Sequence, residues 1–94
     1  MTDEQDLIQR LLAGEQDAYR QLVSTYQGAM RAVATAIVGI ANAEEVVQES
    51  WLAVVRNLNG FAARSSLKTW LLTITANTAK SRLRKQRREV LLDD

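Results

Sequence analysis

The sequence predicts an all-α protein, a compact bundle of four helices whose last helix is long and basic at its C-terminal end. Along most of the chain the apolar residues recur at intervals of three and four, which is the periodicity of an amphipathic helix. No segment alternates apolar and polar residues as a half-buried strand does. Proline is absent, and the glycines fall mainly where an apolar period stops. With 94 residues, the chain is long enough for one domain with one modest core.

The first two predicted helices each end at a glycine. Apolar positions between residues 7 and 12 define a short first helix that ends near Gly14, and those between 18 and 37 define a longer second helix that ends near Gly39. Both glycines stand where a C-cap glycine is expected. Gly28 instead lies inside the second helix, where glycine costs about 1 kcal/mol relative to alanine. Close packing against a neighbouring helix is one reason for a glycine at such a position.

The third and fourth helices carry start signals. Asn42 followed by Glu45 fits a capping box that opens the third helix, and the Asn-Gly pair at 59–60 closes it. A serine at 65 or 66 caps the fourth helix. Both tryptophans are expected to be mainly buried. The residues expected inside the third helix are Val46, Val47, Trp51, Val54, Val55 and Leu58, and those of the fourth are Leu67, Trp70, Leu71, Ile74 and Thr78.

The composition argues against an enzyme. Cysteine and histidine are both absent, which excludes disulfides, thiolate metal sites and the commonest general base. The sequence contains no P-loop, no GxGxxG and no HExxH motif. The carboxylates of Glu44, Glu45 and Glu49 are better explained by capping, the helix dipole or a solvated face than by a metal site. We therefore expect no catalysis, no metal and no cofactor.

The sequence also indicates a cytoplasmic protein without membrane insertion. The first residues, MTDEQDL, are acidic and polar, unlike a signal peptide. The longest apolar stretch, AVATAIVGIANA, is too short and too rich in small residues to span a bilayer.

The charges are strongly segregated, although the formal net charge is only +1. Residues 1–63 carry eight acidic and four basic side chains, whereas residues 64–88 carry eight basic side chains and no acidic one. Residues 89–94 add three acidic side chains. This segregation predicts two surfaces with different partners, one of them a polyanion. The alternative is a solvated basic helix end, which the helix dipole also favours.

The polar face of the fourth helix is suited to nucleic acid. It combines hydroxyl and amide groups that can reach base edges with cations spaced to follow phosphates: Thr73, Asn77, Lys80, Arg84 and Arg88. The preceding loop adds an aromatic and several polar groups: Phe61, Arg64, Ser65, Ser66 and Lys68. A basic helix beside such a loop fits single-stranded nucleic acid, whose bases need a pocket as well as a charged track. The structural alternatives are that Phe61 folds under the loop and that Trp70 is a core residue.

The third helix presents an acidic and amide face that contains a leucine. Its members are Glu45, Gln48, Glu49, Leu52 and Arg56. Such a face suits a basic protein surface, and a solvated helix face is the alternative.

Three segments together resemble region 2 of the sigma-70 family, in its extracytoplasmic-function (ECF) branch. "DLIQRLLAGEQDAYRQLVSTY" resembles the opening helices of that family, and "NAEEVVQESWLAVVRNLNGF" resembles the helix that binds the clamp helices of the RNA polymerase β′ subunit. "RSSLKTWLLTITANTAKSRLRKQRR" resembles the segment that melts and reads the promoter −10 element. The resemblance covers Asp6 to Arg88, with the segments in the family's order and spacing.

The resemblance implies a function for both faces. Residues 1–88 would form a sigma-70 region 2 domain, and residues 89–94 would begin a linker to a second, −35-binding domain. The third-helix face would bind core RNA polymerase through the β′ clamp helices. The loop and the fourth helix would bind the non-template strand of the −10 element and so direct transcription initiation in a bacterial cytoplasm. An anti-sigma factor is a further partner that the family implies.

The sequence departs from the family pattern at a few positions. Glu45 stands where aspartate is usual, and Trp51 replaces a phenylalanine. Thr73, Thr75 and Ala76 occupy a stretch where relatives often carry an arginine, which affects the details of the DNA contact.

Two other functions compete with this one. A helix-turn-helix regulator of duplex DNA shares the basic helix, but the connection from Asn59 to Ser66 is long for its turn. A helical adaptor with a membrane-binding basic tail needs large apolar residues opposite the cations, and beyond Ile74 only Leu83 qualifies.

Overall fold

The computed structural model describes residues 3–62 and 64–93 and contains the four predicted helices. They are α1 (Asp3–Leu12), α2 (Gln16–Val38), α3 (Ile40–Asn57) and α4 (Leu67–Asp93), and a 3₁₀ turn at Leu58–Gly60 follows α3. The described part of the chain contains no strand, and none of its helices combines the length and hydrophobicity that a membrane-spanning segment needs. The predicted all-α class is confirmed.

The core lies between the three long helices. α2 packs against both α3 and α4, α3 packs against α4, and α1 lies against α2. The molecule measures 56 × 22 × 21 Å, and this elongation follows from α4, whose 27 residues span about 40 Å at the helical rise. The buried apolar side chains are Leu7, Leu11, Ala18, Leu22, Met30, Ala34, Ala43, Val46, Val47, Val54, Leu58, Leu67, Leu71 and Ala79.

Five of the residues expected inside α3 and α4 are less buried than predicted, and Ile74 and Thr78 are two of them, each half-buried. Val55 is 55% exposed, because it lies on the flank of α3 that turns away from α2 and α4. Trp51 and Trp70 are half-buried and pack at the edge of the core rather than inside it. The small buried residues Ala34, Ala43 and Ala79 are among those that fill the centre.

The predicted capping box at the start of α3 is wrong. A single residue, Gly39, joins α2 to α3, and α3 begins at Ile40. Gly39 has φ of 84°, a left-handed conformation that glycine adopts without a steric penalty, and its N–H donates to the Thr35 carbonyl at 2.9 Å. So short a connection leaves Asn42 inside the first turn of α3. Glu45 does not reach back to cap that turn but pairs with α4.

Gly28 does not mark a close helix contact. It is exposed within α2, and apart from the adjacent backbone of α2 itself no atom of the described residues lies within 4 Å of the position that a Cβ would occupy. The glycine therefore has no packing role in this structure. Gly14, by contrast, has φ of 81° after α1, as its predicted place at a helix end requires.

Ser66, rather than Ser65, caps α4. Its Oγ accepts the Thr69 N–H at 3.1 Å, and its carbonyl accepts the Trp70 N–H at 3.0 Å. At the other end the helix continues to Asp93, so residues 89–93 extend α4 rather than forming a separate coil. Asp94, the last residue of the predicted linker segment, lies outside the described residues, and the boundary at residue 88 stays a prediction.

Candidate nucleic-acid and protein interfaces

The connection between α3 and α4 forms a small pocket with aromatic walls. Phe61 follows the 3₁₀ turn and Trp70 stands in the first turn of α4, and their ring centroids are 4.9 Å apart. The pocket has a volume of about 280 Å³ and is lined by Gly60, Phe61, Ala62, Arg64, Ser65 and Trp70. One cation and one hydroxyl-bearing residue thus stand beside two aromatic rings, which is a suitable set for holding a planar, polar ring.

The loop residues divide their polar groups between the pocket and the backbone. Phe61 packs against the core and also lines the pocket, so both roles considered for it are compatible. Arg64 and Lys68 are exposed. The Ser65 hydroxyl donates to the Ser66 carbonyl at 3.1 Å, and the Ser66 hydroxyl is occupied with Thr69 as the cap of α4. The free polar groups nearest the pocket are therefore mainly those of Arg64.

The predicted nucleic-acid face of α4 is exposed along its length. All five members are on the side of the helix opposite the buried residues Leu71, Thr75 and Ala79. Arg84 donates to the Ser81 hydroxyl at 3.2 Å, the only hydrogen bond recorded for these five side chains in the described part of the chain. The face consists of Thr73, Asn77, Lys80, Arg84 and Arg88.

Of the α4 residues that depart from the family pattern, one is buried and another is exposed. Thr75 is fully buried, and its hydroxyl donates to the Leu71 carbonyl at 2.9 Å. It therefore belongs to the core and is unavailable to DNA in this structure. Thr73 is exposed at the start of the polar face.

The predicted protein-binding face of α3 is also solvent-exposed as a unit. Leu52, at its centre, is 56% exposed. Val55 lies one turn further on, beside Leu52, and extends the apolar part of the face. Sequence periodicity alone had placed Val55 in the core. The predicted members Glu45, Gln48, Glu49, Leu52 and Arg56 are all exposed.

Arg82 connects the two faces and was not among the predicted site residues. It reaches from α4 to α3, where its Nη2 pairs with Glu45 Oε2 and its Nη1 lies 3.3 Å from Glu49 Oε1. Helical spacing places Arg82 on the core side of α4, in register with Thr75 and Ala79 rather than with Lys80 and Arg84. This spacing was the signal in the sequence, but it did not reveal which residues lay opposite.

The ion pairs leave the positive charge of α4 largely uncompensated. Of the eight cations between residues 64 and 88, only Arg82 forms a salt bridge among the described side chains. Glu44 pairs with Arg31 of α2, with 3.0 Å between Nη2 and Oε2, and so points to a different helix from Glu45. The carboxylates at the start of α3 are thus partners of arginines, and the remaining cations of α4 face solvent.

A shallow groove lies between α3 and α4, next to the ion pairs that Arg82 forms with α3. It has a volume of about 420 Å³ and includes side chains of the α3 face. Its lining residues are Glu49, Leu52, Ala53, Arg56, Thr78 and Ser81. The α3 face is therefore bordered on one side by α4, and a partner docked on it would contact both helices.

Comparison with protein families and known sequences gives consistent matches. The family model described as Sigma-70 region 2 matches residues 22–89. An ECF RNA polymerase sigma-E factor of Haemophilus influenzae is 38% identical over 88 residues, which are 94% of this chain and 46% of the relative. The factor of the same name from Escherichia coli K12 is 36% identical over 83 residues, 88% of this chain and 43% of the relative. The chain spans somewhat less than half the length of these relatives.

A solved structure shows the same fold. It is an NMR structure of an engineered region 2 of sigmaE in complex with GTAAAA. The two structures superpose with a TM-score of 0.83 at 33% sequence identity, over 95% of this chain and 97% of the other. The similarity therefore includes α1, which precedes the segment matched by the family model.

Proposed function

Because the chain belongs to the sigma-70 region 2 family, we propose that it serves as a sigma factor domain that binds core RNA polymerase and recognises and melts the promoter −10 element. The observation that carries the proposal is one juxtaposition. A pocket with aromatic walls, Phe61 and Trp70, opens at the start of a helix whose exposed face carries uncompensated cations. The similar region 2 in complex with GTAAAA supports a six-base, single-stranded ligand of this kind.

On this proposal the pocket and the helix have different tasks. Lys80, Arg84 and Arg88 attract the phosphates of the non-template strand, which gives affinity without sequence preference. The pocket receives one unstacked base against its aromatic rings, and Arg64 and Ser65 supply polar groups for the edge of that base. Asn77 adds an amide further along the exposed face of α4. Ser66 and Lys68 lie where the loop meets the start of α4. Thr73 is the first residue of the exposed face of α4 along which the phosphates would lie.

The energy for strand opening comes from capturing the base. Extruding a base from a duplex costs a few kcal/mol, and stacking a base on an aromatic side chain returns about 1–3 kcal/mol. Contacts with the base edge favour one base over the others. Opening is therefore selective for promoters that place that base at the pocket, and it requires no chemical step by this chain.

The α3 face is the proposed polymerase surface. Its exposed carboxylates, Glu45 and Glu49, lie on the N-terminal side of Leu52 and carry one negative charge beyond that of their partner Arg82. The groove beside α4 offers additional contact. A basic, partly apolar surface such as that expected of the β′ clamp helices complements this arrangement. Val55 is a further member of this surface, identified by its exposure.

The remaining properties follow from family membership. We propose that the chain acts by binding alone, without enzymatic activity or a cofactor, in the bacterial cytoplasm. Residues 1–88 are the proposed region 2 domain, and residues 89–94 lead towards the −35-binding domain of a longer protein. An anti-sigma factor is a proposed regulatory partner. The helix-turn-helix alternative is less well supported, because residues 58–66 separate α3 from α4, well beyond a turn of about three or four residues.

The proposal is tested by NMR titration, which detects weak binding. The chain is titrated with the single-stranded hexamer GTAAAA and with AAGATA, which has the same composition in another order. Shift changes around Phe61, Arg64 and Asn77 with a preference between the two hexamers are expected. Equal and diffuse shifts with both hexamers would show electrostatic attraction without base recognition and would overturn the proposed pocket.

Polymerase binding is tested separately with an immobilised β′ clamp-helix fragment. Retention of the wild-type chain and loss of retention in Glu49→Lys are expected. A folded chain that does not bind the fragment would contradict the polymerase part of the proposal while leaving the DNA part standing.

A further inference from the structure

The N-terminal helix makes a direct contact with the start of α4. Glu4, in the first turn of α1, accepts a hydrogen bond from the backbone N–H of Leu67, with 3.2 Å between N and Oε2. The two residues are 63 positions apart in the chain. Glu4 lies before residue 22, outside the segment that the family model matches.

The contact satisfies a donor that the helix itself leaves free. The first N–H groups of an α-helix have no carbonyl partner within the helix. Ser66 supplies an acceptor for the N–H of Thr69, two residues beyond Leu67. Leu67 is itself fully buried, so an acceptor at its N–H replaces water that is sterically excluded. A carboxylate is a strong acceptor there, because the hydrogen bond is charge-assisted and the helix dipole favours negative charge.

Leu67, which makes this contact, has pocket residues both before it and after it in the chain. Leu67 follows Ser65 and Ser66 directly and precedes Trp70 by one helical turn, and both Ser65 and Trp70 line the pocket. The other end of the loop is held at Phe61, whose N–H donates to the Leu58 carbonyl at 3.1 Å. Glu4 therefore fixes the end of the loop that carries Arg64 and Ser65.

We infer that Glu4 is a positioning residue for base recognition: its hydrogen bond to Leu67 holds the loop at residues 64–66 in the geometry that selects the base. The inference rests on the proposed function, since it assigns Glu4 to the same pocket. It makes α1 part of the recognition machinery although α1 contributes no lining residue. Binding constellations have to be held within about 0.5 Å of their productive geometry, so a small displacement of the loop is enough to weaken them.

A simple charge effect makes the opposite prediction for Glu4. A carboxylate near a nucleic-acid surface repels phosphate, so its removal strengthens binding to every sequence and leaves base preference unchanged. The positioning role requires a hydrogen-bond acceptor rather than a charge. Glu4→Gln separates the two, because the amide oxygen still accepts a hydrogen bond while the charge is lost.

The experiment compares wild type, Glu4→Ala, Glu4→Gln and the control Asp17→Asn. Asp17 pairs with Arg20 on the surface of α2, so Asp17→Asn removes the same charge away from the loop. Each whole chain is titrated with GTAAAA and with the six hexamers that change one base at a time. Hydrogen exchange at the Leu67 amide, the amide shifts of Arg64 and Ser65, and a urea melt are recorded for each variant.

The expected result is specific to the acceptor. In Glu4→Ala, discrimination at one base position falls by about threefold or more, in line with the net contribution of a single hydrogen bond. The Leu67 amide then exchanges faster, the Arg64 and Ser65 signals shift, and the urea midpoint falls, because a buried donor has lost its acceptor. The chain stays folded in the absence of urea, so discrimination is still measured on the native bundle. Glu4→Gln and Asp17→Asn keep wild-type discrimination.

Three results would overturn the inference. Unchanged discrimination in Glu4→Ala, with a discriminating wild type, would show that the loop keeps its geometry without Glu4. Equal effects of Glu4→Gln and Glu4→Ala would show that charge, not the acceptor, matters. A wild-type chain that bound all hexamers equally would overturn the proposed function and, with it, the role assigned to Glu4.

Discussion

Phe61 and Trp70 lie with their ring planes inclined at 44° and their centroids 4.9 Å apart. One ring belongs to the loop and the other to the first turn of α4, and both line the pocket. The two residues also pack against the core. The pocket is thus built on the same aromatic pair that anchors the loop to the bundle.

Replacing Phe61 is expected to weaken binding more than folding. Phe61→Leu keeps an apolar side chain against the core but removes the ring, so the single-strand affinity falls by about 1–3 kcal/mol, the range for loss of base stacking. The change is measured by titration with GTAAAA, and stability by urea denaturation. Tyr26→Leu, at a half-buried aromatic of α2 outside the pocket lining, serves as the control. Equal losses in both variants would point to a general effect on the fold.

Charge reversal on α3 is expected to separate polymerase binding from folding. Glu49→Lys places a cation beside Arg82 and on the proposed docking face, so retention on the β′ clamp-helix fragment falls while the helical circular dichroism is kept. Asp17→Lys makes the same change in charge on the surface of α2 and leaves retention unaltered. The assignment of this face is wrong if both variants bind equally well.

The cations of α4 are expected to contribute unequally to DNA binding. Each phosphate contact on a single strand adds about 0.7 to the slope of log K against log salt concentration. Lys80→Ala and Arg84→Ala therefore each lower the slope by about that amount. Arg82→Ala is the matched control, because its charge is already compensated by Glu45 and Glu49. Its salt slope is expected to equal that of the wild type.

The same titrations can contradict the distinction drawn between Arg82 and the phosphate-binding cations Lys80 and Arg84. If Arg82→Ala lowered the slope as much as Arg84→Ala, Arg82 would leave its carboxylates to contact phosphate. The two faces would then be linked through a rearranging ion pair rather than being independent.

Substitution of Gly28 is expected to stabilise the protein. The position is an exposed helix interior with no atom near the added methyl group, so Gly28→Ala raises the free energy of unfolding by roughly 1 kcal/mol. Gly39→Ala is the contrasting variant, since φ of 84° there is strained for alanine. Urea denaturation of both variants measures the difference. A destabilised Gly28→Ala would contradict the open surroundings assigned to this position.

The sequence was sufficient for the helices and for the composition of each face. The spacing of apolar residues predicted four helices, and the segregation of cations predicted a basic face on α4. Gly14 and Gly39 marked helix ends because a left-handed residue is required there, a local property of the backbone. Periodicity also grouped the residues of the α3 face correctly, since side chains three and four apart share a helix surface.

Two predictions from local sequence patterns were wrong, because tertiary packing determined the start of α3 and the exposure of Val55. Asn42 and Glu45 fit a capping box in sequence, but the one-residue link at Gly39 starts α3 earlier and leaves Glu45 free to pair with Arg82. Val55 follows an apolar period, yet it is exposed, because none of the described helices covers its side of α3. A helical pattern states which residues share a face but not which helix lies opposite.

The candidate site depends on both kinds of information. The basic track on α4 can be derived from periodicity, because its members need only share one exposed face. The pocket, the Arg82 ion pairs and the contact of Glu4 with Leu67 each join residues from different segments. Their formation depends on how the chain folds back on itself, a property of long-range packing that no local spacing in the sequence encodes.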